Sequence, residues 1–356
     1  MKPQKKSAWM IYGANGYTGR LVAREAKRQR LRPVLAGRSE ALVKALANEL
    51  RLPWRVFGLD DRAAAARALA DVAVLANCAG PFSATSEPMI EACLASKTHY
   101  VDITGEIAVF VNAQRHGTAA KRAGIVLCPG VGFDVIPTDC VAAVLKEALP
   151  DASHLALGFD APMSLSPGTS KTSIEGLKFG GLIRKDGEII EVPLAHHTRR
   201  IDFGAGDRFA ATIPWGDVAT AYFSTGIPNI EVFVPVSPAV AAGMRGMNWL
   251  RPLMGLSLVQ ALLKGLAERS ARGGPSELDL KEGITYVWGE VRNGTGDVRA
   301  ARLTTANGYR LTCHGVLLAV RTLLQHKPAG GYYTASQLMG PRCVERLPGS
   351  SRIKIQ

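Results

Sequence analysis

The strongest constraint on the fold is the stretch Gly13-Ala14-Asn15-Gly16-Tyr17-Thr18-Gly19, which follows an apolar run, Ala8 to Tyr12, and precedes a helical pattern starting near Arg20. Glycines at every third position let the backbone turn tightly, approach a pyrophosphate closely and pack a helix against a strand. The helix N-terminus behind such a loop offers unpaired N–H donors and a partial positive charge. The spacing departs from G-x-G-x-x-G, and a plain strand-to-helix turn is the competing reading. Following the first strand, it predicts a dinucleotide cradle built from Gly13, Asn15, Gly16, Tyr17, Thr18 and Gly19.

The next strand, Pro33 to Ala36, ends in Gly37-Arg38-Ser39. A chain selective for NAD places an acid here, about twenty residues beyond the loop, against the ribose 2′-hydroxyl. A guanidinium at this point instead suits a forked, charge-assisted contact to the extra phosphate of NADP, with Ser39 as a second donor. The expected cofactor is therefore NADP(H). Alternatively, Ser39 only caps the helix Glu40 to Glu49 and Arg38 is a solvated surface charge.

Beyond this point apolar strands alternate with helical patterns, which argues for an α/β, Rossmann-type doubly wound parallel sheet. Strands are expected at Trp54 to Gly58, Val72 to Ala76, Tyr100 to Ile103 and Ile125 to Cys128. Helices are expected at Glu87 to Ala95, Val109 to Arg122 and Pro137 to Ala148. Ligands bind outside the carboxyl ends of such strands. That rule adds Asp61 on the adenine side, Asn77, Cys78, Ala79, Gly80, Pro81 and Phe82 on the nicotinamide side, and Gly105 after the fifth strand.

The alternation stops near Pro150-Asp151, so the expected NADP-binding domain is 1–150. Strand patterns at Leu155 to Phe159, Ile189 to Leu194, Phe209 to Ile213, Ile230 to Pro235, Ile284 to Val291 and Val298 to Leu303 then predict a second α+β domain, 151–305, on a mostly antiparallel sheet. Asn293-Gly294 favours a hairpin between the last two. The helix Leu311 to Gln325 opens a C-terminal segment, 306–356, expected to pack back on the first domain.

With 356 residues, 47% of them hydrophobic, the chain can bury two cores. A net charge of +13 calls for an anionic partner, and NADP uses part of it. No nucleic-acid module is visible, so nucleic acid is not an expected partner. Cys78, Cys93, Cys128, Cys140, Cys313 and Cys343 form no C-x-x-C pair, and the seven histidines show no metal spacing. No metal is expected, and a reducing, cytoplasmic setting fits. The basic Met1 to Lys6 enters the first strand without an apolar leader.

Gly13 to Gly19, Ala36-Gly37-Arg38-Ser39, Asn77 to Phe82, Tyr100-Val101-Asp102-Ile103-Thr104-Gly105-Glu106 and Pro129 to Asp134 together resemble the saccharopine dehydrogenase-like oxidoreductases, and within them most the trans-acting enoyl reductases. The likeness continues through Ser166-Pro167-Gly168-Thr169, Tyr286 to Glu290 and Ala306-Asn307-Gly308-Tyr309. It implies a Rossmann domain, NADP(H) and a C-terminal substrate domain. The substrate stays open among amino-acid adducts, imines and enoyl lipids. Pro167 stands where many members have glycine, and no arginine cluster matches a dicarboxylate site.

Hydride transfer needs chiefly alignment and exclusion of water. If a side chain assists, the candidates are Asp134 and Lys171, the latter within Gly168 to Ser173 at the start of an expected helix, Ile174 to Leu182. Lys171 would stabilise a developing enolate oxygen, whereas an imine would use a carboxylic acid near neutrality. Their bland readings are a turn acid and a surface lysine. The leading expectation is an NADPH-dependent reductase of a C=C bond in a small-molecule or acyl substrate, free or carrier-bound. An imine or amino-acid dehydrogenase is the alternative, and a non-catalytic NADP(H) sensor or scaffold is a reading of another class. Finally, Val240 to Arg272 carries an apolar stripe edged by Arg245, Arg251, Lys264, Arg269 and Arg272. It is expected to serve a homodimer contact or an acyl-pocket wall first, and a peripheral membrane or carrier contact second.

Overall fold

The computed structural model describes residues 6–161, 180–250 and 276–356. The chain divides into two compact units, 1–133 with 309–339 and 134–308 with 340–356. The sequence pattern suggested boundaries at 150 and 305 instead.

In the first unit the strands are β1 (Ala8–Tyr12), β2 (Val34–Gly37), β3 (Trp54–Val56), β4 (Val72–Asn77), β5 (His99–Asp102) and β6 (Val126–Cys128). The helices between them are α1 (Tyr17–Arg28), α2 (Glu40–Leu50), α3 (Arg62–Ala68), α4 (Phe82–Ser96), α5 (Ile107–Arg115) and α6 (Gly117–Ala123). A short strand, Gly331–Tyr332, joins the free side of β6 in parallel register, Gly331 opposite Val126. The resulting seven-stranded sheet runs Gly331–Tyr332, β6, β5, β4, β1, β2, β3. Its order reverses between β1 and β4, the switch point at which open parallel sheets bind ligands. Helices cover both faces, so β1 and β2 read as unbroken apolar runs. Met10, Tyr12, Ala36, Leu75, Tyr100 and Leu127 share one core with helix residues such as Met89 and Ile90.

Several helix boundaries differ from the sequence pattern. The expected helix Val109 to Arg122 is two helices, α5 and α6, meeting at His116. A Cβ on Gly117 would lie 3.3 Å from Tyr332 Cβ, so α6 starts where it can approach the added strand. α4 begins at Phe82 rather than Glu87, and Pro88 lies inside it. Its first turn is held from elsewhere in the chain by Glu106, a contact that local pattern cannot show.

The second unit opens with α7 (Ile136–Ala148), which the sequence pattern placed in the first domain. Its strands are β7 (His154–Asp160), β8 (Gly181–Lys185), β9 (Glu188–Val192), β10 (Thr198–Asp202), β11 (Asp207–Ile213), β12 (Asn229–Pro235), β13 (Ile284–Arg292) and β14 (Val298–Ala306). They form a mixed sheet ordered β10, β11, β12, β7, β13, β14 and then Lys354–Ile355, with β8 on β12 and β9 on β8. The β12–β7 pair is parallel, and the other pairs are antiparallel. α7 belongs here because its buried face meets β13: a Cβ on Gly289 would sit 2.5 Å from Val141 Cγ1 and 3.0 Å from Leu145 Cδ1. Side-chain volume removed at one glycine lets the helix lie close on the sheet. α8 (Asp217–Thr225) and α9 (Pro238–Met247) complete the parts used below.

The C-terminal segment expected to pack wholly on the first domain is shared. The helix Gly308–Gln325 and strand Gly331–Tyr332 fall largely in unit one, whereas residues 340–356 return to unit two, where Lys354 pairs with Arg302 of β14. Of the expected helix Ile174 to Leu182, the described end is strand: Gly181 and Leu182 open β8. No helix among the described residues is long and apolar enough to cross a membrane.

Candidate nucleotide site

The glycine loop joins β1 to α1 through a tight turn. Gly16 N–H donates to Gly13 O at 3.0 Å, and Gly13 adopts φ +75°. A Cβ on Gly13 would lie 2.7–2.8 Å from Ala79 N, Cα and Cβ, and one on Gly19 would lie 2.2 Å from Gly13 O. Both positions exclude any side chain, so the loop packs directly on the segment after β4 and α1 packs directly on the loop. Asn15 turns inward, and its Oδ1 lies 2.8 Å from where a Gly37 Cβ would be.

α1 starts without a capping side chain and without an acid in its first turn. Its N-terminal donors and dipole are therefore directed at the loop Gly13 to Tyr17 with no built-in counter-charge, an arrangement suited to an anion. Thr18 and Gly19 lie in this first turn.

At the end of β2, Ser39 occupies the N-cap of α2 but makes no capping hydrogen bond, so capping does not account for its hydroxyl. Arg38 is exposed and forms no side-chain hydrogen bond or ion pair among the described residues. Asp61 is committed differently: its Oδ1 caps α3 by accepting Ala64 N–H at 2.9 Å, and Oδ2 lies 3.8 Å from Arg67.

The segment after β4 is held as firmly as the glycine loop. Asn77 is fully buried, accepts Ala79 N–H at 3.1 Å and donates to Thr85 Oγ1 and Tyr100 Oη at 3.2 and 3.4 Å. Cys78 N–H donates to Tyr12 O at 2.8 Å, tying the segment to β1, and burial pushes its thiol up to about 12. Cys78 is thus an uncharged wall rather than a nucleophile. Gly80-Pro81 is a cis peptide bond, and Phe82 starts α4 with its ring buried.

Two acids within the motif Tyr100 to Glu106, to which the sequence reading gave no role, organise the neighbouring loops. Asp102 is buried at the end of β5. Its Oδ1 accepts the N–H groups of Thr104 and Gly130 at 3.0 and 2.8 Å, while Tyr100 Oη donates to Oδ2 at 2.6 Å. Burial lifts its carboxyl to about 6 against those hydrogen bonds. Glu106 takes Phe82 N–H and Ser83 N–H at 2.8 Å each, bracing the loop that contains Gly105 against α4. The available signal was a carboxylate at the end of a buried apolar strand, where an acid survives only with donors aimed at it.

A family model described as the saccharopine dehydrogenase NADP-binding domain matches residues 9–128. Residues 9–128 are a saccharopine dehydrogenase NADP-binding domain. The match runs from the second residue of β1 to the last of β6, so all five loops at the carboxyl ends of β1, β2, β4, β5 and β6 lie in it or directly follow it. NADP(H) is accordingly the cofactor of the domain.

The saccharopine dehydrogenase-like character extends to curated relatives. A mouse saccharopine dehydrogenase-like oxidoreductase is 25% identical over 203 residues, 49% of this chain and 47% of its own length. A trans-acting enoyl reductase of Mycobacterium leprae is 32% identical over 148 residues, 39% of this chain and 35% of its own. These matches span half or less of the relatives' lengths. Among solved structures, apo saccharopine dehydrogenase (L-Glu forming) from Saccharomyces cerevisiae shares the fold at TM-score 0.66 and 12% identity, covering 98% of this chain and 99% of that one.

Asp134, the carboxylate candidate, directly follows the loop after the family domain's last strand and opens the second unit. Its main-chain carbonyl accepts Trp215 Nε1–H at 2.8 Å, and burial of its carboxyl raises the pKa to about 7. Near it in charge terms is Asp217 in the first turn of α8, fully buried, with Thr138 Oγ1 donating to Oδ2 at 2.9 Å. Burial holds that carboxyl well above the ordinary range. Lys171 and Gly168 to Ser173 lie outside the described residues, as does the stretch 251–272 of the amphipathic segment. All six cysteines are buried and outside any disulfide, Cys140 and Cys343 with their sulfurs 3.4 Å apart.

Proposed function

We propose that the protein is an NADPH-dependent oxidoreductase that reduces a C=C bond in an enoyl or acyl-type substrate, free or carrier-bound. One observation carries the cofactor half of this reading: an uncapped, acid-free helix N-terminus behind glycines that admit no side chain, with exposed Arg38 and the uncommitted Ser39 hydroxyl one strand away. The identity to a relative named trans-acting enoyl reductase supports the choice of substrate class.

NADPH supplies the hydride when bound. Gly13 to Gly19 give the pyrophosphate close backbone access, and Arg38 with Ser39 takes the 2′-phosphate. Asn77, Asp102 and Glu106 fix the loops after β4, β5 and β6, keeping their backbone pre-organised so that little reorganisation accompanies the reaction. Cys78 and Phe82 supply apolar surface that keeps water out. Lys171 is proposed to stabilise the developing enolate oxygen.

An imine or amino-acid dehydrogenase is the second reading, favoured by Asp134: a carboxyl held near pH 7 can deliver and recover a proton at nitrogen. The test is a panel of enoyl thioesters, cyclic imines and amino acids followed by NADPH absorbance. Turnover of enoyl substrates alone supports the first reading and of imines alone the second. No turnover with tight NADPH binding supports a sensor or scaffold. For α9, which exposes Val240 and, just beyond it, Trp249 at 89%, we propose a contact between two copies or an acyl-pocket wall ahead of a membrane or carrier contact.

A further inference from the structure

The helix Gly308–Gln325 is remote in sequence from the glycine loop, yet within the first unit it touches both the start of α1 and the loop after β6. The Tyr309 ring stands edge-on to Tyr17, centroids 5.2 Å apart and planes at 85°. Tyr17 is the first residue of α1, directly after the cradle glycine Gly16. One turn further on, Thr312 Oγ1 accepts Phe133 N–H at 3.0 Å in the loop after β6. A Cβ on Gly132 would come within 3.1 Å of Thr312, so loop and helix are closely fitted there. On its α1 side the helix adds His314, whose Nδ1 is 3.6 Å from Glu25 Oε1 and 3.5 Å from Gln29 Nε2.

These contacts join the N-terminus of α1 to the loop after β6. α1 carries no capping side chain, so the direction of its first residues is held by contacts around the turn, such as Arg20 Nε donating to Asn15 O at 2.9 Å. An edge-to-face aromatic pair has a preferred geometry and restrains that direction. We propose that Tyr309 is a positioning residue for NADP(H): it sets Tyr17, and through it the N-terminus of α1, in the orientation that receives the pyrophosphate. Thr312 performs the matching task for the loop Gly130 to Phe133. The inference rests on the NADP(H) reading of the glycine loop.

The experiment measures dissociation constants of NADPH and of adenosine 2′-monophosphate, which lacks the pyrophosphate, for the parent protein, Tyr309→Phe, Tyr309→Leu, Thr312→Val and Leu323→Ala. Leu323 is buried near the far end of the same helix, so its variant reports general loosening. Tyr309→Phe is expected within twofold of the parent for NADPH. Tyr309→Leu is expected to bind NADPH three- to tenfold more weakly while leaving adenosine 2′-monophosphate unchanged, and Leu323→Ala to lower the melting temperature without moving either constant. Equal NADPH affinity in Tyr309→Leu and parent overturns the proposal, and so does an equal loss for both ligands. A parent that fails to bind NADPH would instead overturn the cofactor reading.

Discussion

Replacing Arg38 by alanine tests the residue proposed to select NADPH over NADH. The side chain is exposed and holds no ion pair or side-chain hydrogen bond among the described residues, so its removal leaves nothing buried and unpaired. Surface substitutions of this kind change stability by less than about 0.5 kcal/mol, and the melting temperature should move by no more than about 2 °C. A hydrogen bond to a charged group is worth about 1.5–3 kcal/mol, and about 1.4 kcal/mol corresponds to a tenfold change in affinity. The exposure of Arg38 places the effect toward the lower end, because water competes for the phosphate. NADPH affinity should therefore fall about ten- to thirtyfold in Arg38→Ala, while NADH affinity stays within twofold. Lysine at the same position should restore part of the loss, since it keeps the charge but not the fork. Isothermal titration with both nucleotides reads all of this directly. Equal affinities for the two nucleotides in the parent, or parallel losses in the variant, would refute the reasoning.

Gly19→Ala should weaken NADPH binding more than tenfold and cost about 1–3 kcal/mol of stability, because the added carbon would sit 2.2 Å from Gly13 O and 2.9 Å from Ala14 Cα, backbone atoms that cannot swing aside. Urea titration with and without NADPH checks it. Glu106→Gln should cost about 1 kcal/mol by weakening the bonds that start α4, with NADPH affinity falling in step; an unchanged urea midpoint would show that water replaces the carboxylate. Asp134 titrates at about 7 in the fold against an ordinary 3.8, so the stability it contributes is complete below about pH 4 and lost as pH rises through 7. Asp134→Asn should flatten the stability profile across that window. If the imine reading holds, it should also remove a fall in kcat above pH 7, whereas a parent rate independent of pH from 5 to 8 would exclude Asp134 as the acid. Binding to anionic vesicles at low salt that vanishes on substituting Arg245, Arg251 and Lys264 would put a membrane contact ahead of self-association; absence of vesicle binding would exclude it.

Local signals made the nucleotide half legible. β1 is predicted and found at Ala8–Tyr12, because a strand buried on both faces is an unbroken apolar run whose end is marked by glycine. Gly13, Gly16 and Gly19 carry their own explanation, since a position with no room for a Cβ can hold only one residue type. Asp61 shows the limit: a carboxylate beside a nucleotide loop and a helix cap look alike in sequence, and here the side chain caps α3. What pairing across the chain decides was not legible. Gly331–Tyr332 is two residues long and becomes a strand only because β6 has an open edge to receive it. α7 follows the alternating pattern of the first domain, yet it joins the second sheet because Gly289, about 140 residues later, leaves space for Val141 and Leu145. Likewise α4 starts five residues early because Glu106, beyond the next strand, satisfies its first N–H groups. Periodicity and glycine spacing are properties of neighbouring residues and survive in one dimension. Edge pairing, close approach and the satisfaction of buried donors belong to pairs of distant residues, and only the folded chain brings those pairs together.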